Sequence, residues 1–276
     1  MARWAIDDIP WSRFDRAKLD SDIVKIVKAA ALVETNGSAY AHHLCRVFNE
    51  DPEFQASARR WGEEEIQHGR ALGRWAQLAD PDFDFSAAFA RFTESFRIDF
   101  DRDRSRRGSR AGEMVARCVV ESATSSFYQA LRDAAEEPVL REICHHIAAD
   151  EARHYKLFYQ TLTRYLKAER IGMWRRLWVA LARLAEGEDD ELACAYHAAN
   201  ESSRPYDHRH CSRAYASRAF AVYRKRHVTR CVRMVFRAIG LAANSRLSRA
   251  TGHLAWTVVR RLAADPNDAA IQQSPL

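Results

Sequence analysis

Apolar residues recur at helical spacing through most of this 276-residue chain, and alternating runs separated by turn residues are hard to find. From about Ser21 to Asn49 the pattern predicts one long helix, opened by Ser21 and Asp22 and stopped by Asp51-Pro52. A second runs from about Glu53 to Ala79 and is closed by Asp80-Pro81. Residues 81–109 are less regular. Phe83, Phe85, Phe89, Phe92, Phe96 and Phe100 predict a short helix or two covering the body, as core rather than as a substrate box, and Asp101 to Arg110 reads as a charged, solvated loop. A third long helix spans about Ala111 to Glu136, and a fourth starts near Pro138, a good first-turn residue, and reaches about Ala168. Beyond Gly172 a helix is expected through Ala185 and another over Asp189 to Asn200, with Ser203 to His208 as a linker. Two or three basic amphipathic helices follow over roughly Ser212–Leu241 and Leu247–Ala263, and the tail from Pro266 is expected to be disordered. The chain reads as all-α, with a body over residues 1–202 and a basic helical extension over 203–276.

Composition supports this. Only 10 glycines and 7 prolines interrupt a chain rich in Ala, Leu, Arg and Glu. The six cysteines are scattered with no C-x-x-C pair, so they predict thiols in a reducing cytosol rather than zinc or redox chemistry. The first residues lack the apolar run of a signal peptide, and no stretch is apolar enough to span a bilayer, so a cytoplasmic protein is expected. The net charge of +6 conceals an asymmetry. His208 to Ala264 holds 13 Arg or Lys and no Asp or Glu, which leaves 30 basic against 37 acidic residues elsewhere. Such a segment calls for an acidic partner.

Two of the long helices each carry one isolated acid in mid-helix. Glu34 is the sole acid between Asp22 and Glu50, and Glu121 the sole acid between Glu113 and Asp133. A lone buried carboxylate is expensive unless neutral, paired or bound to a cation. The other two long helices each carry a Glu-x-x-His pair, Glu65 with His68 and Glu151 with His154, which puts carboxylate and imidazole on one face. Glu34 to Glu65 is 31 residues and Glu121 to Glu151 is 30, so the halves repeat at offsets of 87 and 86. Each feature alone has a plainer reading. Glu65 and His68 could share a solvated face with Glu63 and Glu64, and Glu121 could pair with Arg117 one turn away. Together, the six can project to one interior point of a four-helix bundle, the ligand set of ferritin-like carboxylate-bridged dimetal proteins. Four carboxylates offset two divalent cations, two of them can bridge, and each metal keeps one histidine; such donors favour iron or manganese over copper or zinc. Asp150 or Glu64 is placed to accept an imidazole N–H and fix a ligand tautomer. The pairs His42-His43 and His145-His146 lack ligand spacing.

Over about residues 20–165 the motifs resemble the soluble acyl-carrier-protein desaturases of the ferritin-like superfamily. Trp61-x-x-Glu64-Glu65-x-x-His68-Gly69 is similar to that family's helix-two motif, Ala149-Asp150-Glu151-x-Arg153-His154 to its helix-four motif, and Glu121-x-Ala123-Thr124 to a third element; Glu34 with Tyr40 fits the first helix more loosely. The resemblance implies two iron ions, with Thr124 beside the dioxygen site, and abstraction of hydrogen from an unactivated C–H bond. Desaturation or hydroxylation of an acyl chain on a carrier protein or lipid follows from it, with a ferredoxin-type electron donor. Glu-x-x-His alone suits rubrerythrin-like peroxidases or iron storage equally, and an amine oxygenase on the same scaffold is a further alternative, disfavoured by Ile147 four residues before Glu151. Small residues Gly37, Ser38, Ala41 and Ser125 either open an acyl channel or permit close packing. In the basic segment, Arg224, Arg226, Arg230, Arg233 and Arg237 are candidates for docking an acidic carrier or donor. Val232, Val235, Phe236, Ile239 and Leu241 interleave with them as in helices that lie on an anionic membrane. Nucleic acid ranks last, since no binding motif accompanies the charge. A homodimer is also compatible with the sequence.

Overall fold

The aromatic residues near the start fix the chain before the first long helix begins. Trp4 and Ile9 are buried, Trp11 donates its indole N–H to the Ile6 carbonyl at 2.8 Å, and the Arg74 guanidinium lies 4.2 Å from the Trp11 ring. The computed structural model describes residues 4–96, 104–186 and 190–264, and every regular element among them is helical. Phe100, residues 101–103 of the expected charged loop, Asp189 and the tail from Pro266 lie outside the described residues.

The expected first helix is two helices, α1 (Ser21–Thr35) and α2 (Gly37–Val47). Asp20 caps α1 by accepting the amides of Asp22 and Ile23. Thr35 turns its hydroxyl back to the Ala31 carbonyl at 2.7 Å, which competes with the helical ladder, and the break falls at Asn36. Next comes α3 (Pro52–Ala79), with Pro52 in its first turn and the Asp51 carboxylate accepting the Phe54 amide at 3.0 Å. Glycines let α3 approach the broken pair closely. A Cβ on Gly69 would sit 2.6 Å from the Thr35 amide nitrogen, and one on Gly37 would collide with the Glu65 side chain. Gly37 therefore serves close packing, and Ala41 meets Gly62 in the same way, whereas Ser38 is exposed.

The phenylalanine segment forms α4 (Phe85–Ser95), with Phe83 and Phe92 buried. The helices α5 (Arg110–Ala134) and α6 (Pro138–Glu169) are joined by three residues and form the most extensive helix pair of the molecule. Glu137 caps α6, and its carboxylate also accepts the Trp75 indole N–H at 2.7 Å, which ties the end of α3 to this turn. Beyond lie α7 (Met173–Ala185), α8 (Asp190–Asn200), α9 (His208–Ala221), α10 (Lys225–Ile239) and α11 (Arg246–Ala263). The stretch from Ser212 to Leu241, expected as one helix or two, is two, parted around Val222–Arg224. The extension also shares the core: Cys211, Ala214 and Ala219 of α9 and Ala238 and Ile239 of α10 are all buried.

Two apolar cores result. One joins the first half of α1, the second half of α3, the end of α5 and the start of α6, around Ile26, Leu72, Trp75 and Ile143. The other joins α2, the start of α3, the start of α5 and the second half of α6, around Leu44, Phe54, Met114 and Phe158. Each such side chain contributes about 1.5–3 kcal/mol of burial. Between the two cores, at mid-length of all four helical units, lies a polar slice. All six cysteines are free thiols.

Candidate metal centre

The polar slice holds all six residues singled out by spacing. Glu34 comes from α1, Glu65 and His68 from α3, Glu121 from α5, and Glu151 and His154 from α6; every one is buried. They form two groups that share two members. Glu34, Glu65, His68 and Glu151 make one, and Glu65, Glu121, Glu151 and His154 the other, with donor atoms in each within 4.8 Å of one another. Glu65 and Glu151 therefore lie between the two positions, while Glu34 with His68 and Glu121 with His154 close the ends.

Both histidines turn Nδ1 inward. His68 Nδ1 lies 3.4 Å from Glu151 Oε1 and 3.5 Å from Glu34 Oε2, and His154 Nδ1 lies 3.0 Å from Glu65 Oε1 and 3.7 Å from Glu121 Oε2. Both turn Nε2 outward to a carboxylate: His68 to Asp150 at 3.0 Å and His154 to Glu64 at 2.7 Å. Each supporting carboxylate thus serves the histidine of the other helix, a crossing that sequence spacing does not reveal.

The donors fit a metal pair. Glu34 Oε2, Glu65 Oε1, Glu151 Oε1 and the Nδ1 atoms of His68 and His154 are fully buried and lack a hydrogen-bond partner. Five such atoms aimed into one space would each be costly in a purely structural core, and natural proteins rarely leave them so. A divalent cation in each group would satisfy them, and four carboxylates would balance two such charges. Without cations the cluster manages its charge by protons. Burial and the neighbouring charges of Glu65 and Glu151 push Glu34 and Glu121 well above the usual carboxylate range. Burial opposes charge on Glu65, Glu151, His68 and His154 as well. There, contacts between imidazole and carboxylate prevail, holding Glu65 well below its usual range and Glu151 below it, and both histidines well above theirs.

Several further residues hold the ligands in place. The Thr124 hydroxyl donates to Glu151 Oε2, so the threonine expected beside dioxygen is bonded to a carboxylate shared by both groups. Tyr128 donates its hydroxyl to Glu34 Oε1 at 2.5 Å. Trp4 donates its indole N–H to Asp150 Oδ2 at 2.8 Å and stacks on the His68 ring, while Arg153 donates to the other Asp150 oxygen. Trp61 meets His154 edge-on, with ring centroids 6.4 Å apart. Sequence reading missed the roles of Tyr128 and Trp4. Tyr128 stands two turns beyond Glu121 on the same face, a usable signal, whereas Trp4 precedes every long helix, where no helical spacing points to its partner. Arg117 does not pair with Glu121. Its guanidinium lies over the rings of Tyr40 and Trp61, at 5.0 and 5.7 Å. His43 is buried with its Nδ1 unpartnered, while His42 and His145 are exposed and His146 stacks on Trp4.

On the outer side a depression of about 150 Å³ is lined by Trp4, Glu63, Glu64, Gln67, Asp150 and Arg153. The carboxylates that support the two histidines therefore stand between the buried cluster and water. The five arginines proposed for docking are all exposed, Arg224 just before α10 and the other four on it; Arg226 also binds Asp133 of α5 at 2.6 Å. The apolar side of α10 is turned inward: Phe236 and Ile239 are buried and Val232 and Val235 half-buried, so this helix cannot lie on a membrane by that face. No helix among the described residues is long and apolar enough to cross a membrane. Compared with known proteins, the chain matches no family model and no curated protein.

Proposed function

We propose that this chain is a ferritin-like di-iron oxidase that uses dioxygen to act on an unactivated C–H bond of an acyl chain, by desaturation or hydroxylation. The observation that carries the reading is the pair of overlapping four-residue groups with their five unpartnered donor atoms. The resemblance to soluble acyl-carrier-protein desaturases supplies the reaction class. Iron, when bound, supplies dioxygen reduction and an oxidant stronger than any side chain.

The chain's own residues do the rest. Glu34, His68, Glu121 and His154 would bind as end ligands, and Glu65 and Glu151 would be shared. Asp150 and Glu64 accept the Nε2 protons, fixing both histidines in the tautomer that leaves Nδ1 free to bind. Thr124 Oγ1 holds a proton on Glu151 Oε2, where it can be passed inward, and Tyr128 Oη holds another on Glu34 Oε1. The apolar cores on either side exclude water from the slice.

Anaerobic reconstitution with ferrous iron tests the metal site. The expected content is near two irons per chain, one for each ligand group; a single iron, or none, would refute a di-iron centre. The reaction class is tested by mass spectrometry of acyl chains from cells with and without the protein. A new C=C or C–OH is expected, and unchanged acyl chains alongside normal iron loading would leave the metal site standing and remove the acyl substrate.

A further inference from the structure

Two helices outside the metal-bearing units carry apolar side chains on their water-facing side. On α7, Trp174 and Trp178 are 75% and 72% exposed and Leu181 is 52% exposed. They stand at i, i+4 and i+7, one stripe of one helix. On α11, Leu247, Leu254, Val258 and Leu262 are exposed at i, i+7, i+11 and i+15, again one stripe. Both helices pack against α10, and α10 turns outward Arg226, Arg230, Arg233 and Arg237, also at i, i+4, i+7 and i+11. The Arg176 guanidinium lies against the C-terminal Gly240 of α10, where a Cβ would come within 2.6 Å of it, so α7 is fixed to that helix end. No carboxylate interrupts the pattern, since neither Met173–Ala185 nor His208–Ala264 contains Asp or Glu.

Exposed apolar side chains are ordinary when scattered, but not when two tryptophans and a leucine line one stripe beside a cationic helix, of whose outward arginines Arg226 is paired with Asp133. Tryptophan prefers the boundary between headgroups and acyl chains, and arginine is drawn to the negative potential of anionic lipid. We infer that the α7–α10–α11 face is a docking surface for an anionic lipid bilayer, with Trp174, Trp178 and Leu181 entering the headgroup boundary and the α10 arginines lying against lipid phosphates. The two apolar stripes lie on different helices, which suits a lipid plane better than one narrow groove for a peptide. Charge alone would serve an acidic carrier protein, and leaves the exposed tryptophans without a role. This surface shares no residue with the metal centre, so its test needs no metal.

The full chain is mixed with vesicles of phosphatidylcholine alone or with added phosphatidylglycerol, and bound protein is measured by sedimentation. Partitioning should rise by roughly tenfold or more with the anionic lipid and fall back as salt is raised. Replacing both tryptophans, Trp174→Ser with Trp178→Ser, should lower anionic-vesicle binding by roughly tenfold with unchanged helicity, because both side chains are mostly in water already. Arg230→Gln with Arg233→Gln and Arg237→Gln should remove the preference for anionic lipid. Equal binding to both vesicles by the intact chain, or undiminished binding by the tryptophan variant, would overturn the proposal. So would a concentration-dependent dimer, seen by ultracentrifugation and lost in the tryptophan variant, if it came without vesicle binding. Binding only to an acidic protein would overturn it too.

Discussion

Replacing Glu121 by glutamine should move stability in opposite directions with and without metal. Glu121 is 1% exposed and belongs to the group with Glu65, Glu151 and His154, whose donor atoms lie within 4.8 Å of one another. Two ionised carboxylates at that separation repel by about 3.5 kcal/mol at an effective dielectric constant near 20. The metal-free protein avoids part of this by keeping Glu121 protonated, which is why burial and the charges of Glu151 and Glu65 push it well above the usual range. Glutamine removes the charge at nearly constant volume. The metal-free variant should therefore be more stable by about 1–2 kcal/mol, or roughly 3–6 °C in Tm for a chain of this size. With metal the order reverses. A ligand held at a hundred times its Kd stabilises the intact chain by about 2.7 kcal/mol per site, and the variant loses that at the site Glu121 closes.

The pH arm sharpens this. Glu34, Glu121, His68 and His154 all sit above their ordinary values in the folded metal-free protein. Stability from groups shifted upward is complete below their unfolded values and is lost as pH rises through the folded ones. Metal-free stability should thus fall as pH rises above neutrality, and the glutamine variant should fall less. Metal binding must expel the histidine protons, so metal affinity should rise over the same range. Thermal melts by circular dichroism, with and without manganous ion across about pH 6 to 9 (from about half a unit below the ordinary histidine value to about two and a half above it), give both slopes. A Glu121→Gln protein that is less stable without metal, and an intact chain whose Tm ignores metal, would mean that Glu121 is a structural carboxylate and that the reasoning fails.

Three other outcomes follow from the contacts. Asp150→Asn and Glu64→Gln should each weaken metal affinity by roughly 10–100-fold, the first at the position closed by His68 and the second at that closed by His154, as measured by calorimetric titration. Gly37→Ala should lower metal occupancy while leaving helix content nearly intact, because the new Cβ strikes the Glu65 side chain; full occupancy by elemental analysis would refute it. Asp133→Asn should loosen α10 from α5, since Asp133 accepts from Arg226 and contacts His227. Although burial opposes it, hydrogen bonds from Arg226, His227 and Arg132 hold Asp133 far below the usual range, so its contribution should persist down to about pH 4 and be lost as pH falls further; faster hydrogen exchange in α10 of the variant is the measure.

What could be read from sequence follows from what each signal depends on. Helix existence and the six clustered residues were legible because periodicity and ligand spacing are local, repeated twice and mutually consistent. The break at Asn36 was not, since it rests on a single threonine hydroxyl turning back to Ala31 and on the glycines that draw α3 close. The pairing of Asp150 with His68 was not legible either. Asp150 lies four residues from His154, one turn away on the same helix, and only the packing of α3 against α6 decides that it serves the opposite ring. The same limit governed α10. Its alternating arginines and apolar residues look alike whether the apolar side meets lipid or protein, because amphipathicity states that a face is covered and not by what. Once α10 spends its apolar side on the body, the exposed tryptophans of α7, which carried no signal in the sequence reading, become the unpartnered apolar surface beside its arginines.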